Sequence, residues 1–271
     1  MKQKKWFRYS FLMAVMAMTA VWLSMGCNTS IPPVGMFVPT AIPTMAPDIV
    51  SNFENGSMTM NNNLCGADNG YWLNASYGGS NSVASPLINP IPAAIQTPGT
   101  GFNGLHFYGT ITDPGGGAYP ALQLQAVFSS NPSHPYLDAS ATGCNFSGIQ
   151  FQMNILADDT TYHQRLFGVA TDQTITGFPG SNCPSNCNDL FWNDHLGIYT
   201  GVFGPNVGAG WVTYTYTWAQ LYQEGWGNPA SPAGMAAHLN KLILLEWKWT
   251  GNNVAGTYTA DFWLDNIQFL P

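Results

Sequence analysis

The sequence predicts an all-β fold, a two-sheet antiparallel β-sandwich of jelly-roll type, preceded by a signal peptide and a Pro-rich linker. Three observations predict it. Short segments of alternating apolar and polar residues, rich in β-branched and aromatic side chains, recur over residues 48–271. Clusters of Gly, Pro, Asn and Ser separate them. Helical periodicity is nearly absent, with one helical turn expected around Ala219–Tyr222.

The strands are expected at Leu105–Thr110, Ala121–Phe128, Gly148–Ile155, His163–Thr171, Gly210–Trp218, Lys241–Trp249 and Thr259–Phe269. Ile149 to Ile155 is the clearest, with one face apolar and the other made of amides. In the last segment Phe262 and Leu264 share a face, as do Ile267 and Phe269, and the phase slips by one residue at Asp265-Asn266. A slip of that kind marks a bulge. A short strand followed by a turn is expected at Asn52-Phe53-Glu54-Asn55-Gly56, and the two ends of the domain are expected to lie side by side, bringing Glu54 near Asp265.

Residues 1–27 read as a signal peptide: Lys2, Lys4, Lys5 and Arg8 precede an apolar run from Phe11 to Leu23, which ends at Ser24-Met25-Gly26-Cys27. The run is too short for a comfortable membrane span, which takes about 20 residues. Gly26-Cys27 matches the end of a lipobox, so Cys27 is the candidate lipidation site. Leu23 stands one position farther from the cysteine than the usual pattern, which leaves ordinary cleavage open. Residues 28–47 form a Pro/Thr-rich linker and residues 48–271 the jelly-roll domain.

Charge and cysteines narrow the function classes. Four of the seven basic residues lie before Cys27, and all fourteen acidic ones lie after it, so the mature chain carries 3 − 14 = −11. That argues against nucleic acid and against anionic membranes except through a lipid anchor. Cys65, Cys144, Cys183 and Cys187 form an even set in an exported chain, which points to disulfides. Of three possible pairings the favoured one joins Cys183 to Cys187 and Cys65 to Cys144. The short ring then contributes roughly 2 kcal/mol and the long one roughly 4 to 5 kcal/mol in the chain-entropy model.

Candidate sites follow from side chains that chemistry would use. Glu54 and Asp265 are the candidate calcium ligands, since calcium takes hard oxygens from carboxylates and carbonyls. The alternative is that each accepts turn hydrogen bonds. The amide face Gln150, Gln152 and Asn154 offers donors and acceptors suited to sugar hydroxyls. Arg165, Glu246 and Lys248 add charge, and Tyr214 and Tyr216 an aromatic platform. The alternative there is a solvated sheet face. Trp226, flanked by glycines, reads as a loop anchor before it reads as a sugar-stacking residue. No nucleophile with a base, and no pair of carboxylates on one strand, points to catalysis.

Several phrases in order along the chain carry a resemblance: Asn52-Phe53-Glu54-Asn55-Gly56, Gly70-Tyr71-Trp72, Gly99-Thr100-Gly101-Phe102, Leu137-Asp138-Ala139-Ser140 before Gly148-Ile149-Gln150-Phe151, the Cys183 to Cys187 loop, Asp194-His195-Leu196-Gly197, Leu221 to Gly227 and Trp263 to Phe269. Together they resemble the carbohydrate-binding-module-like, galactose-binding-type β-jelly-roll domains of exported bacterial lipoproteins. The resemblance implies a structural calcium that ties the N-terminal segment to the last strand through Glu54 and Asp265. Asn55 and Asn266 stand where relatives often carry Asp, and the segment from Asn188 to Asn193 lengthens one loop. The expected function is an exported, lipid-anchored, non-catalytic carbohydrate-binding protein of the bacterial cell envelope, an outer-membrane lipoprotein with a glycan as partner. The alternatives are a structural or adhesive surface protein without a sugar site and a glycan-degrading enzyme.

Overall fold

The structure is a computed structural model and describes residues 49–51, 53, 60, 64–65, 70–77, 83–84, 87–90, 103–117, 120–158, 163–185, 187, 189–193, 208, 210–251 and 254–271. The chain divides into Met1–Ala41 and Ile42–Pro271, and every described residue belongs to the second unit. The expected signal peptide and the whole of the expected linker lie outside the described residues, as does Glu54.

In chain order the strands are β1 (Ile49–Ser51), β2 (Tyr71–Tyr77), β3 (Val83–Ala84), β4 (Leu87–Pro90), β5 (Asn103–Asp113), β6 (Ala121–Val127), β7 (Gly148–Asp158), β8 (His163–Thr171), β9 (Phe191–Asn193), β10 (Trp211–Thr217), β11 (Leu221–Tyr222), β12 (Leu242–Gly251) and β13 (Gly256–Leu270). They form two antiparallel sheets. The first runs β10-β7-β13-β5-β3, with β1 added to β13 and β4 to β5; the second runs β11-β9-β8-β12-β6-β2. The chain crosses repeatedly between them, and the fold is a β-sandwich of jelly-roll type.

Alternation in the sequence explains why the sheets stack. Ile149, Phe151, Met153 and Ile155 of β7 are buried on the face toward the second sheet, and Trp247 and Trp249 of β12 are buried on the face that meets them. Trp249 stacks on Phe262 with ring centroids 4.3 Å apart, and Phe151 meets Trp247 edge-on at 5.3 Å. Aromatic pairs of this kind contribute about 0.5 to 1.5 kcal/mol each beyond their buried area.

The phase slip in β13 is a bulge. Phe262, Leu264, Ile267 and Phe269 all enter the core, and the register shifts between Asp265 and Gln268. Asn266 takes φ +49°, a conformation that Asn tolerates better than most residues. The first described strand lies beside the last, as expected for the two ends of the domain: Ile49 pairs with Gln268 and Ser51 with Ile267. The strand there is Ile49–Ser51, earlier than the sequence suggested, because Phe53 at φ +53° turns the chain out of extended geometry.

Cys65 bonds Cys144, and Cys183 bonds Cys187. The helical turn near Ala219 is a 3-10 turn at Trp218–Gln220, and Leu221–Tyr222 is already strand. A second 3-10 segment, Met235–Lys241, has no counterpart in the sequence reading, since so short an element leaves no periodicity to detect.

Candidate functional site

The outward face of the second sheet carries a cleft, and the register of its strands builds it. Trp247 and Trp249 point inward, so Glu246 and Lys248 between them point outward. Cross-strand pairing then aligns Tyr222, Trp192, Gly168, Glu246, Gln125 and Leu73 in one row across all six strands. The neighbouring row is Leu166, Lys248, Gln123 and Ala75.

Each position in these rows has a local cause. Gly168 is required because a Cβ there would lie 2.5 Å from two ring atoms of Trp192, whose indole is buried against β8. The Lys248 ammonium sits 5.1 Å from the centroid of the Trp192 ring, a cation–π contact. Glu246 is buried, and each of its carboxylate oxygens receives an amide: Gln125 Nε2 donates at 2.6 Å and Gln123 Nε2 at 3.1 Å. Burial pushes the Glu246 carboxyl above its ordinary range, while the Lys248 ammonium and the Gln125 and Gln123 amides pull it back.

Above this floor is a cavity of about 320 Å³ lined by Leu73, Ala75, Gln123, Gln125, Glu246 and Lys248 below and by Ile175, Phe178, Cys187 and Trp226 at the sides. The wall that carries Ile175 and Phe178 is tied down by Lys241 Nζ, 3.0 Å from Asp172 Oδ2, and by the Tyr136 hydroxyl, which donates to the Gly180 carbonyl at 2.8 Å. Gln173 and Ser231 exchange two hydrogen bonds, Ser231 N–H to Oε1 at 2.8 Å and Nε2 to the Ser231 carbonyl at 3.1 Å, and so lock one wall to the other. At the rim Trp226 is 52% exposed, and its indole N–H donates to Glu224.

Of the sequence-predicted ligand residues whose side chains are described, only Glu246 and Lys248 line this cleft. Gln150, Gln152 and Asn154 lie on the outward face of the other sheet, where Thr215 Oγ1 donates to Gln150 at 3.3 Å and Asn266 Nδ2 donates to Gln152 at 2.9 Å. Tyr214 and Tyr216 are no platform. They pair with Phe151 and Ile149, share the inward face, and stack on Phe151 at 5.6 Å and Phe167 at 5.6 Å respectively. Arg165 is paired with Trp249 in β8, and its side chain lies outside the described residues. Trp226 is exposed where an anchor was the first expectation. Gln123 and Gln125 were missed, although Ala121-Leu122-Gln123-Leu124-Gln125 carries the same apolar-amide alternation as β7.

Asp265 sits in the β13 bulge, buried, with its Oδ1 receiving the Asn266 N–H at 2.7 Å. β1 reaches Ile267, two residues from Asp265, so a buried carboxylate stands where the N-terminal segment meets the last strand. Of the expected calcium pair Asp265 is described and Glu54 is outside the described residues. Among the described residues no group of three or more His, Cys, Asp and Glu is placed to hold a metal.

No family model and no curated protein matches the sequence. Among solved structures the chain is similar to the family 11 carbohydrate-binding module of the cellulosomal cellulase Lic26A-Cel5E of Clostridium thermocellum, at 14% identity over 82% of this chain and 92% of that one, with a TM-score of 0.46. A second structure of a family 11 module from Clostridium thermocellum, in complex with a β-1,3-1,4-mixed-linked tetrasaccharide, is similar at 14% identity over 82% and 94%, with a TM-score of 0.43. SGBP-B from a complex xyloglucan utilization locus in Bacteroides uniformis is similar at 13% identity over 83% of this chain and 49% of that one, with a TM-score of 0.41. The architecture itself is read from the strands and register of this chain.

Proposed function

We propose that the protein binds a neutral glycan, without transforming it, in the cleft on the outward face of the second sheet. The observation that carries this reading is a half-exposed tryptophan, Trp226, at the mouth of a cavity whose floor is built from two glutamines, a carboxyl and an ammonium. An indole face suits the apolar face of a sugar ring, and amides suit its hydroxyls, because each offers donor and acceptor. The mature chain's −11 disfavours an anionic polymer.

The absence of turnover is supported by the carboxylates. Glycoside hydrolysis uses two across a cleft. Among the described lining residues Glu246 is the one carboxylate, and both its oxygens are held by amides.

Affinity electrophoresis in gels containing mixed-linkage β-glucan, xyloglucan or galactan tests the reading. Retardation is expected in at least one, and Trp226→Ala should weaken it about tenfold, the equivalent of about 1.4 kcal/mol. Migration unaffected by every neutral polysaccharide would refute it. Two further elements belong to the same proposal: a lipid on Cys27 that tethers the domain to the envelope, tested by metabolic labelling with a fatty-acid analogue and Cys27→Ala, and a structural calcium held by Glu54 and Asp265.

A further inference from the structure

Trp226 is exposed, yet the turn that carries it is held by several side-chain hydrogen bonds, and three of them converge on one residue from a different loop. Asp189 is 1% exposed and sits between the Cys183–Cys187 ring and β9. Its carboxylate receives three backbone N–H groups of the turn: Glu224 on Oδ1 at 3.1 Å, and Gly225 at 2.9 Å and Gly227 at 3.1 Å on Oδ2. Gln223 closes the turn from the other side, its Nε2 donating to the Asp189 carbonyl at 2.7 Å and the Asn228 carbonyl at 3.0 Å while its Oε1 receives the Ala230 N–H at 2.7 Å. Gly225, at φ +90°, supplies the conformation that lets successive N–H groups converge.

Converging backbone N–H groups form a concavity that attracts an anion. Here the chain's own carboxylate fills it, so the charge of Asp189 is spent on the shape of the turn. Among the described residues the partners of the Asp189 carboxylate are these three N–H groups. A large apolar side chain on a loop ordinarily searches many positions before it stacks on a ligand, and that ordering cost is lost from the affinity. Holding the backbone on both sides of Trp226 removes much of the cost before ligand arrives.

We infer that Asp189 is a positioning residue for the glycan cleft: it touches no ligand and acts by fixing the turn that presents Trp226. This rests on the cleft reading above, and it makes affinity depend on a residue buried behind the site.

The test is a double-mutant cycle on the full mature chain, with Asp189→Asn, Trp226→Ala and the double variant measured against whichever of the three polysaccharides retards the wild type. Asparagine keeps the size of Asp189 but replaces one acceptor with an NH₂ group, so at least one turn N–H loses its partner. Asp189→Asn alone is expected to bind about tenfold more weakly. In the Trp226→Ala background it is expected to change binding by less than about twofold, since a residue that acts through Trp226 has nothing left to act on. Wild-type affinity in Asp189→Asn, or an equal loss in both backgrounds, would overturn the inference. Gln223→Ala carries the same test if Asp189→Asn does not fold.

A readout free of ligand separates failure of this inference from failure of the cleft reading. The Trp226 emission, obtained as wild type minus Trp226→Phe, should become more accessible to acrylamide in Asp189→Asn. Unchanged quenching overturns the positioning role whether or not any glycan binds. More quenching in Asp189→Asn together with unaltered glycan binding by Trp226→Ala keeps the positioning role and removes the cleft from the function.

Discussion

Gly168→Ala is the smallest change that tests how the floor of the cleft is built. A methyl at this position would lie 2.5 Å from Trp192 Cε3 and Cζ3 and 3.3 Å from Cδ2, against the flat of a buried ring rather than the end of a mobile chain. Trp192 cannot yield cheaply, because its ring is fully buried, packs against Gly168 and has the Lys248 ammonium 5.1 Å from its centroid. Relief therefore requires either the β8–β9 pairing to open or the indole to leave its rotamer. Overpacking of this kind costs about 1 to 3 kcal/mol. For a domain of this size that lowers Tm by roughly 2 to 4 °C per kcal/mol. Urea unfolding followed by tryptophan fluorescence measures it, with the midpoint moving and the slope unchanged. Trp192→Leu should itself be destabilising, by roughly 2 to 5 kcal/mol as a large-to-small core change, yet Gly168→Ala should cost much less in that background. An alanine that shifts the midpoint by less than about 0.5 kcal/mol, or costs the same with and without Trp192, would refute the account of why a glycine stands at the centre of this sheet.

The remaining predictions concern charge, cross-links and metal. Glu246 binds a proton more tightly in the folded chain than in the unfolded one, because burial raises its pKa. Its contribution to stability is therefore fully present below the unfolded carboxyl range and declines as pH rises toward the raised value. Glu246→Gln should gain on the wild type in Tm between pH 4 and pH 8, and a difference that is flat or runs the other way counts against the shift. Replacing Cys65 and Cys144 together by alanine opens a ring with a sequence separation of 79 and should cost about 4 to 5 kcal/mol in the chain-entropy model. The same change at Cys183 and Cys187 should cost about 2 kcal/mol but weaken glycan binding as well, since Cys187 lines the cleft. Chelator should lower Tm in the wild type and not in Asp265→Asn; an identical transition with and without chelator in the wild type excludes the calcium.

How much of this was legible follows from which forces are local. Alternation decides which residues face inward, so the apolar face of Ile149 to Ile155, the inward Trp247 and Trp249, and even the bulge at Asp265-Asn266 could be read directly. The same rule applied evenly would have sent Tyr214 and Tyr216 inward and left Thr213, Thr215 and Thr217 outside, which is how they lie. Neighbour strands are not local. Gln150 and Gln152 in β7 carry the same pattern as Gln123 and Gln125 in β6, and nothing within either segment says which amides will stand beside Glu246. That is decided by β6 pairing with β12, an adjacency set by the packing of the whole sandwich. The short β3, β4 and β9 were invisible for a related reason, since two to four residues hold too little pattern to register.

The two outward faces now separate on physical grounds. On the first sheet the polar side chains largely satisfy one another: His106 Nε2 lies 2.8 Å from Asp261 Oδ1, its ring stacks on Trp263 at 4.6 Å, and Asn266 and Thr215 bond Gln152 and Gln150. On the second sheet two loops, with described residues 172–185, 187, 189–190 and 223–231, rise above the strands and turn an otherwise flat face into a concave one. Each loop is held by a buried aspartate, Asp172 through Lys241 and Asp189 through the turn at Trp226. Both carboxylates lie behind the cavity, and neither lines it. A chain so short of cations thus uses two of its buried aspartates, Asp172 and Asp189, to shape loops, and it leaves the cleft to amides, an indole, a carboxyl and an ammonium. That division of labour is what the neutral-glycan cleft proposed above requires.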